Sequence, residues 1–294
     1  MINRIICIFK LIRIYNLIIL FTTHYFIYYF IIKNQVDLIF FLLTTSTILI
    51  AASGYIINDI IDVKSDMINR KNNIIIGKHI TEKSAIYIYY IFILFSLIFT
   101  SLILIKIENY FLFLIMISSI LVLRIYSSLL KHRFILGNIT VSILISLSII
   151  NSIFISDLTY EDAKIYIILL YAFLAFLVNL SREIIKDLED IKGDIYAGSM
   201  SLAILLNLRK VKIINFIILF ILFFTISLLS WNLISFESII DIIYSLFMIL
   251  VLLNILFIKY RLYKSKNKND FKILSNLLKL LMVQGLLSIP LIFY

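Results

Sequence analysis

Two short stretches of an otherwise apolar chain concentrate its aspartates. The first runs Asn58-Asp59-Ile60-Ile61-Asp62-Val63-Lys64-Ser65-Asp66, and the second Lys186-Asp187-Leu188-Glu189-Asp190-Ile191-Lys192-Gly193-Asp194. Asp59, Asp62 and Asp66 recur as Asp187, Asp190 and Asp194 at a constant offset of 128 residues, which marks an internal pseudo-repeat. At roughly 100° per residue, positions i, i+3 and i+7 of a helix project within about 60° of one another, so each stretch puts three carboxylates on one face. Clustered like charges are costly unless a cation balances them. Magnesium is a hard ion that prefers oxygen ligands and usually binds through one or two carboxylates together with substrate phosphates. Two facing aspartate clusters therefore suit a magnesium diphosphate. Six aspartates in matching registers, out of 17 acidic residues in the chain, are more than the solvation of helix ends requires.

A metal alone would not hold a departing diphosphate, so basic donors are expected beside the clusters, acting through charge-assisted hydrogen bonds. Arg70 follows the first cluster, Arg182 and Lys186 flank the second, and Lys131 and Arg133 lie between them in sequence. Arg70 and Lys131 are the foremost candidates, although each of these residues also serves to set membrane topology. His24, His79 and His132 are scattered without ligand spacing, and the single cysteine, Cys7, provides neither a disulfide framework nor a thiolate metal site.

The elements that must position these groups are membrane helices. Of 294 residues, 63% are hydrophobic and 15% charged, with one proline and six glycines, which excludes an ordinary soluble composition. Apolar runs of spanning length recur at about 11–32, 36–57, 85–105, 110–130, 134–156, 165–185, 211–231, 238–258 and 273–293. The runs are continuous rather than alternating, so they are helices and not barrel strands. The expected fold is all-α: a polytopic bundle of about nine transmembrane helices forming one domain over residues 1–294. The first run is longer than a signal-peptide core and lacks a small-residue cleavage site after it, so it is read as a retained helix. The carboxylate clusters fall in two longer connecting segments, about 58–84 after the second span and 186–210 after the sixth.

The formal charge of +10 raises the question of nucleic acid, which the distribution of basic residues answers: 24 of 27 fall at the N-terminus or in alternate connections. The positive-inside rule then places the N-terminus in the cytoplasm and the C-terminus outside, in a protein expected in the cytoplasmic (inner) membrane. The charge is topological, and no nucleic-acid partner is expected. Lys and Asn residues in 259–272 read as a solvated loop.

Gly54 to Arg70 (GYIINDIIDVKSDMINR) resembles the N-x-x-x-D-x-x-x-D motif of the UbiA superfamily of intramembrane prenyltransferases, with Asn58, Asp62 and Asp66 at its positions and Asp59 as a common extra acid. Arg182 to Asp194 (REIIKDLEDIKGD) resembles the second aspartate-rich motif of that superfamily, and Tyr126 to Lys131 its tyrosine-to-lysine loop. With the nine spans, the resemblance covers nearly the whole chain. Arg13-x-x-Asn16 resembles the family's N-terminal pattern, while Lys71-Asn72-Asn73 stands where many relatives carry prolines and a further arginine. The form R-E-I-I-K-D-x-E-D-x-x-G-D is similar to the branch that makes digeranylgeranylglyceryl phosphate, an ether-lipid precursor.

The resemblance implies that Asn58, Asp62 and Asp66 on one side and Asp190 and Asp194 on the other hold Mg2+ and clamp a polyprenyl diphosphate, supported by Asp59 and Asp187. It implies that Arg70, Lys131, Arg182 and Lys186 bind the diphosphate, and that Tyr126 shields the allylic cation. The acceptor is then membrane-proximal: geranylgeranylglyceryl phosphate, with an aromatic quinone precursor such as 4-hydroxybenzoate as the alternative. A secondary transporter is the competing reading from another class, since such proteins also carry internal repeats and intramembrane carboxylates. It predicts charges near mid-span, whereas the acids here lie at span ends and Pro290 sits near the C-terminus. A non-catalytic scaffold would leave both aspartate registers unexplained.

Overall fold

The computed structural model describes residues 2–32, 36–69, 74–159, 161–233 and 239–293. A short helix α1 (Ile2–Leu11) precedes the first span, which is α2 (Ile14–Phe26) continued by a π-helical turn over Ile27–Ile32. Next come α3 (Leu38–Ile61), α4 (Val63–Asn69), α5 (Glu82–Ile107), α6 (Tyr110–Ser128), a 3-10 turn at Leu130–His132, α7 (Leu136–Ile150) and α8 (Ala163–Tyr196). The chain closes with α9 (Leu202–Leu205), α10 (Leu208–Leu233), α11 (Ile239–Lys264) and α12 (Lys268–Phe293). Among the described residues nine helices are long and apolar enough to cross a membrane, as the apolar runs predict, and they make this an integral membrane protein.

Several helix starts follow from local chemistry. The side chains of Asp37, Thr81 and Asn109 accept hydrogen bonds from the backbone N–H groups of Phe40, Ser84 and Leu112, each satisfying one of the four donors a helix start leaves unpaired. The helices bury narrow stripes and expose the rest: Tyr87, Ile105, Leu114 and Leu246 face outward, as side chains bathed in lipid do.

Helix α8 is the hub, packed against α4, α7, α10 and α12, while α3 packs chiefly against α5 and α6. Ile184, Ile185 and Leu188 of α8 share a buried cluster with Leu202, Val211, Leu222, Ile255 and Leu278. A second cluster joins Leu11 and Leu17 to Ile56 and Ile57 of α3, which fixes the N-terminal segment beside the first aspartate motif.

The polar connections are more ordered than the sequence suggests. The second aspartate cluster, expected beyond the end of its span, is helical throughout, because α8 continues without interruption to Tyr196. The first straddles a break: α3 ends at Ile61, Asp62 adopts φ −81° and ψ 0°, and α4 resumes at Val63. The break is mild, since Asp62 N–H still donates to Asn58 C=O and Asp66 N–H to Asp62 C=O, both at 2.9 Å. Two-residue strands β1 (Arg133–Phe134) and β2 (Met200–Ser201) pair in parallel, and His132 Nδ1 is hydrogen-bonded to Ser199 Oγ at 2.6 Å. Together they tie the loop after α6 to the loop after α8.

Candidate active site

The carboxylates of both repeats line one small polar cleft. From the first come Asn58, Asp62, Ser65, Asp66 and Asn69; from the second, Glu183, Lys186, Asp187, Asp190 and Asp194; Arg13, Tyr126, Lys131, Gly137 and Asn138 complete it. The first motif thus contributes positions 58, 62 and 66, and the second their equivalents 186, 190 and 194 together with 187. Asp59 is not among the cleft residues. Its Oδ1 accepts from the Arg13 guanidinium at 2.9 Å, which corrects the expectation that it stands beside the other carboxylates. Asp187, at the equivalent place in the second repeat, stays in the cleft and accepts from Asn138 Nδ2 at 2.9 Å.

Asp62 is buried and takes two donors on Oδ2, Asn58 Nδ2 at 2.7 Å and the Lys131 ammonium. Lys131 is delivered by the 3-10 turn after α6. Gly137 at the start of α7 permits that position, because a Cβ there would stand 2.8 Å from Lys131 Cα and 3.0 Å from Leu130 O. Across the cleft α4 is clasped to α8: Asn69 Nδ2 donates to Asp190 C=O at 2.8 Å and Asn69 Oδ1 accepts from Gly193 N–H at 2.9 Å. Only glycine fits at 193, since a Cβ would lie 2.3 Å from Asn69 Nδ2 and 2.6 Å from Ser65 O.

Arg13 adopts a left-handed conformation, φ 52° and ψ 54°, uncommon for a residue with a side chain. Three partners hold it: the hydrogen bond to Asp59, the Tyr55 ring with its centroid 4.7 Å from the guanidinium carbon, and the nearby charge of Glu183. Burial works against its charge, but Asp59 and Tyr55 outweigh that effect and raise its pKa above the ordinary arginine value. On α8, Glu183 accepts from Lys186 Nζ at 2.6 Å and from Arg182 at 3.3 Å.

Below the cleft lies an apolar chamber of about 500 Å³, within the size range of small-molecule pockets. Its walls come from α2, α3, α6, α7, α8 and α10 to α12, with Leu20, Ile50, Leu144, Leu174, Met248 and Ile289 representative. Chamber and cleft share Arg13, Asn58, Tyr126, Glu183 and Lys186, so Tyr126 stands where the polar and apolar spaces meet.

The donors fit a hard divalent ion held with a phosphate. All the cleft carboxylates offer oxygen, and Asn58 Oδ1 is buried with no hydrogen-bond partner although the amide's nitrogen is engaged. No three carboxylates or imidazoles among the described residues converge on one point. Magnesium usually takes one or two protein carboxylates together with phosphate oxygens and water.

Of the residues singled out from sequence, Asn58, Tyr126, Lys131, Lys186 and five of the six aspartates meet at the cleft. Arg182 lines only the chamber, and Arg70, like Lys71, lies outside the described residues. Asn69, Asn138, Glu183, Gly137 and Gly193 were not anticipated. Glu183 and Gly193 had a sequence signal, since both stand at fixed positions of the second motif, Glu183 also with i, i+3 spacing to Lys186.

The family model described as UbiA prenyltransferase family matches residues 19–281. A curated digeranylgeranylglyceryl phosphate synthase of Methanosphaera stadtmanae is 30% identical over 240 residues, 82% of each chain. That of Sulfurisphaera tokodaii is 32% identical over 178 residues, covering 60% of this chain and 61% of the relative, so this second match spans under two thirds of the relative's length. Among solved structures, one concerning digeranylgeranylglyceryl phosphate synthase in membranes superposes with a TM-score of 0.68 at 21% identity, covering 98% of this chain and 97% of that one. A UbiA homolog from Archaeoglobus fulgidus bound to GPP and Mg2+ gives 0.65 at 16% identity, with 97% and 99% covered. At these identities the structures show a shared fold.

Proposed function

Because the chain belongs to the UbiA prenyltransferase family, we propose that it transfers a geranylgeranyl group from its diphosphate to geranylgeranylglyceryl phosphate, working as one domain in the cytoplasmic membrane. The observation that carries this reading is the junction of two spaces: a carboxylate-lined cleft from two repeats opening onto an apolar chamber of about 500 Å³. One space suits a metal-bound diphosphate and the other an isoprenoid tail. The N-terminus and the cleft lie on the cytoplasmic side in this reading, where 24 of 27 basic residues gather, and the C-terminus lies outside.

Asn58, Asp62 and Asp66 from one repeat and Asp190 and Asp194 from the other would hold Mg2+, with Asp187 steadied by Asn138. When held by these residues, Mg2+ would supply neutralisation of the charge that develops on the leaving diphosphate oxygens. Lys131, now paired with Asp62, and Lys186, paired with Glu183, are within the cleft to donate to phosphate oxygens. The C1–O bond of the donor breaks and the diphosphate leaves with the electron pair. The acceptor hydroxyl oxygen then bonds to C1 and its proton passes to the released diphosphate, so that the products are the ether and hydrogen diphosphate. The allylic cation must meet no water meanwhile, and the Tyr126 ring at the mouth of the chamber covers it by a cation–π contact.

The test is a membrane assay with radiolabelled geranylgeranyl diphosphate, with and without magnesium, offering geranylgeranylglyceryl phosphate and 4-hydroxybenzoate in parallel. Magnesium-dependent label in the glycerol lipid is the expected result. Label in the aromatic product instead would move the protein to quinone-type chemistry, and label in neither would return attention to the transporter reading.

A further inference from the structure

The charged lining of the chamber is not used up by the chemistry above. Among the described residues four cations reach it, Arg13, Arg182, Lys186 and Lys279, against one carboxylate, Glu183. Glu183 is shared between Lys186 and Arg182, and Arg13 is turned to Asp59. Arg182 keeps its Nε–H buried with no acceptor, the kind of unmet donor that normally has a partner. Lys279, on α12, donates to Asn16 Oδ1 at 2.7 Å and has the Tyr15 ring centroid 5.9 Å away. Neither contact neutralises it.

These groups also divide by location. Arg182, Lys279 and Asn16 line the chamber and not the carboxylate cleft, whereas Lys131 lines the cleft and not the chamber. We propose that Arg182 and Lys279, with Asn16 holding the lysine in place, form a second anion site that receives the phosphate of the acceptor lipid. This assignment rests on the acceptor proposed above and gives that lipid's phosphomonoester its own seat, separate from the metal-bound diphosphate. A phosphomonoester carries the charge that two cations at the top of an apolar wall require, and its oxygens accept from both the Arg182 Nε–H and the Lys279 ammonium. An acceptor so anchored presents its hydroxyl towards the mouth of the chamber, where Tyr126 stands.

The experiment compares geranylgeranylglyceryl phosphate with the same lipid lacking its phosphate, using the full-length protein in detergent. With EDTA present, so that a magnesium diphosphate cannot form, the phosphorylated lipid should raise the melting temperature of the wild type and not that of Lys279→Met. In turnover, the kcat/KM preference for the phosphorylated acceptor should fall about tenfold in Lys279→Met and in Arg182→Gln, the loss of one charge-assisted bond, while the donor KM of Lys279→Met stays within about twofold. Lys279→Arg should restore most of the preference, which a purely structural role for the lysine would not produce. An undiminished preference in both Lys279→Met and Arg182→Gln would overturn the assignment while leaving the acceptor reading intact. Wild-type transfer to neither glycerol lipid, with transfer to an aromatic acceptor, would overturn both.

Discussion

The two aspartate motifs share a spacing and are built differently. The second lies on one uninterrupted helix, α8, and shows the cleft the face expected of positions 187, 190 and 194. The first is divided at Asp62 between α3 and α4, and shows positions 58, 62 and 66 instead, its Asp59 drawn off by Arg13. Both sides face the cleft at the equivalent positions 58/186, 62/190 and 66/194, and the first of these pairs differs in chemistry. The first side presents a neutral amide, Asn58, where the second presents Lys186 at the equivalent place. A duplicated pattern is thus asymmetric, the second motif adding a cation where the first places a neutral amide.

If both sides hold the leaving group, Asp62→Ala and Asp190→Ala should each lower kcat by at least a hundredfold, the scale of losing one preorganised electrostatic partner at the reacting centre. Turnover against magnesium concentration, with melting curves to confirm folding, measures this. Full activity in Asp190→Ala would reduce the cleft to a one-sided site.

The next effect should come from the contact that fixes the two sides together. Gly193→Ala drives a methyl group into Asn69 and the Ser65 carbonyl, so α4 must move off α8. Activity should drop about tenfold with a raised magnesium requirement, since misplacement by an ångström costs on this scale or more. Unchanged magnesium dependence would mean that the spacing of the two sides is unimportant.

Asn69→Ala removes the same clasp without adding bulk. Two hydrogen bonds to α8 are lost, each worth about 0.5–1.5 kcal/mol, and the melting temperature should fall by a few degrees with activity reduced less than in Gly193→Ala. A glycine variant milder than the asparagine variant would reverse the roles given to the pair.

The smallest effect concerns the loop pairing that carries Lys131. His132 faces Ser199, Lys131 and Asp62; burial and Lys131 lower its pKa below the ordinary value of 6.5, with Asp62 opposing. As pH falls below that value the unfolded chain takes up the proton more readily than the folded one, so this stabilisation is present above 6.5 and is lost on acidification. His132→Asn should flatten that part of the melting-temperature profile.

Much of this was legible in the sequence. The nine spans were, because continuous apolar runs of spanning length leave the backbone few alternatives in lipid, and so was the family, because the paired motifs have fixed spacings. The extent of α8 was not: an apolar run stops at the first charged residues, but a helix leaving the membrane needs no apolar side chains to continue. Asp59 was misplaced because its face was computed on an ideal helix, whereas Arg13, 46 residues away, decides where it points. Asn69 and Asn138 were invisible for a related reason, since an asparagine's type reveals nothing of the helix it will bond. Gly137 and Gly193 acquire meaning only once a second backbone is known to approach.

The unbroken α8 also sets how far from the bilayer midplane each event takes place. Its 34 residues span about 51 Å at 1.5 Å per residue, against about 30 Å of hydrocarbon. The helix is therefore longer than the oily layer is thick, and its aspartates occupy its last turns. In the proposed reaction charge would separate at the polar end of this rod and the tails would lie along its apolar length. The same helix lines both the chamber and the cleft, so the distance between the two spaces is fixed by the pitch of a single helix.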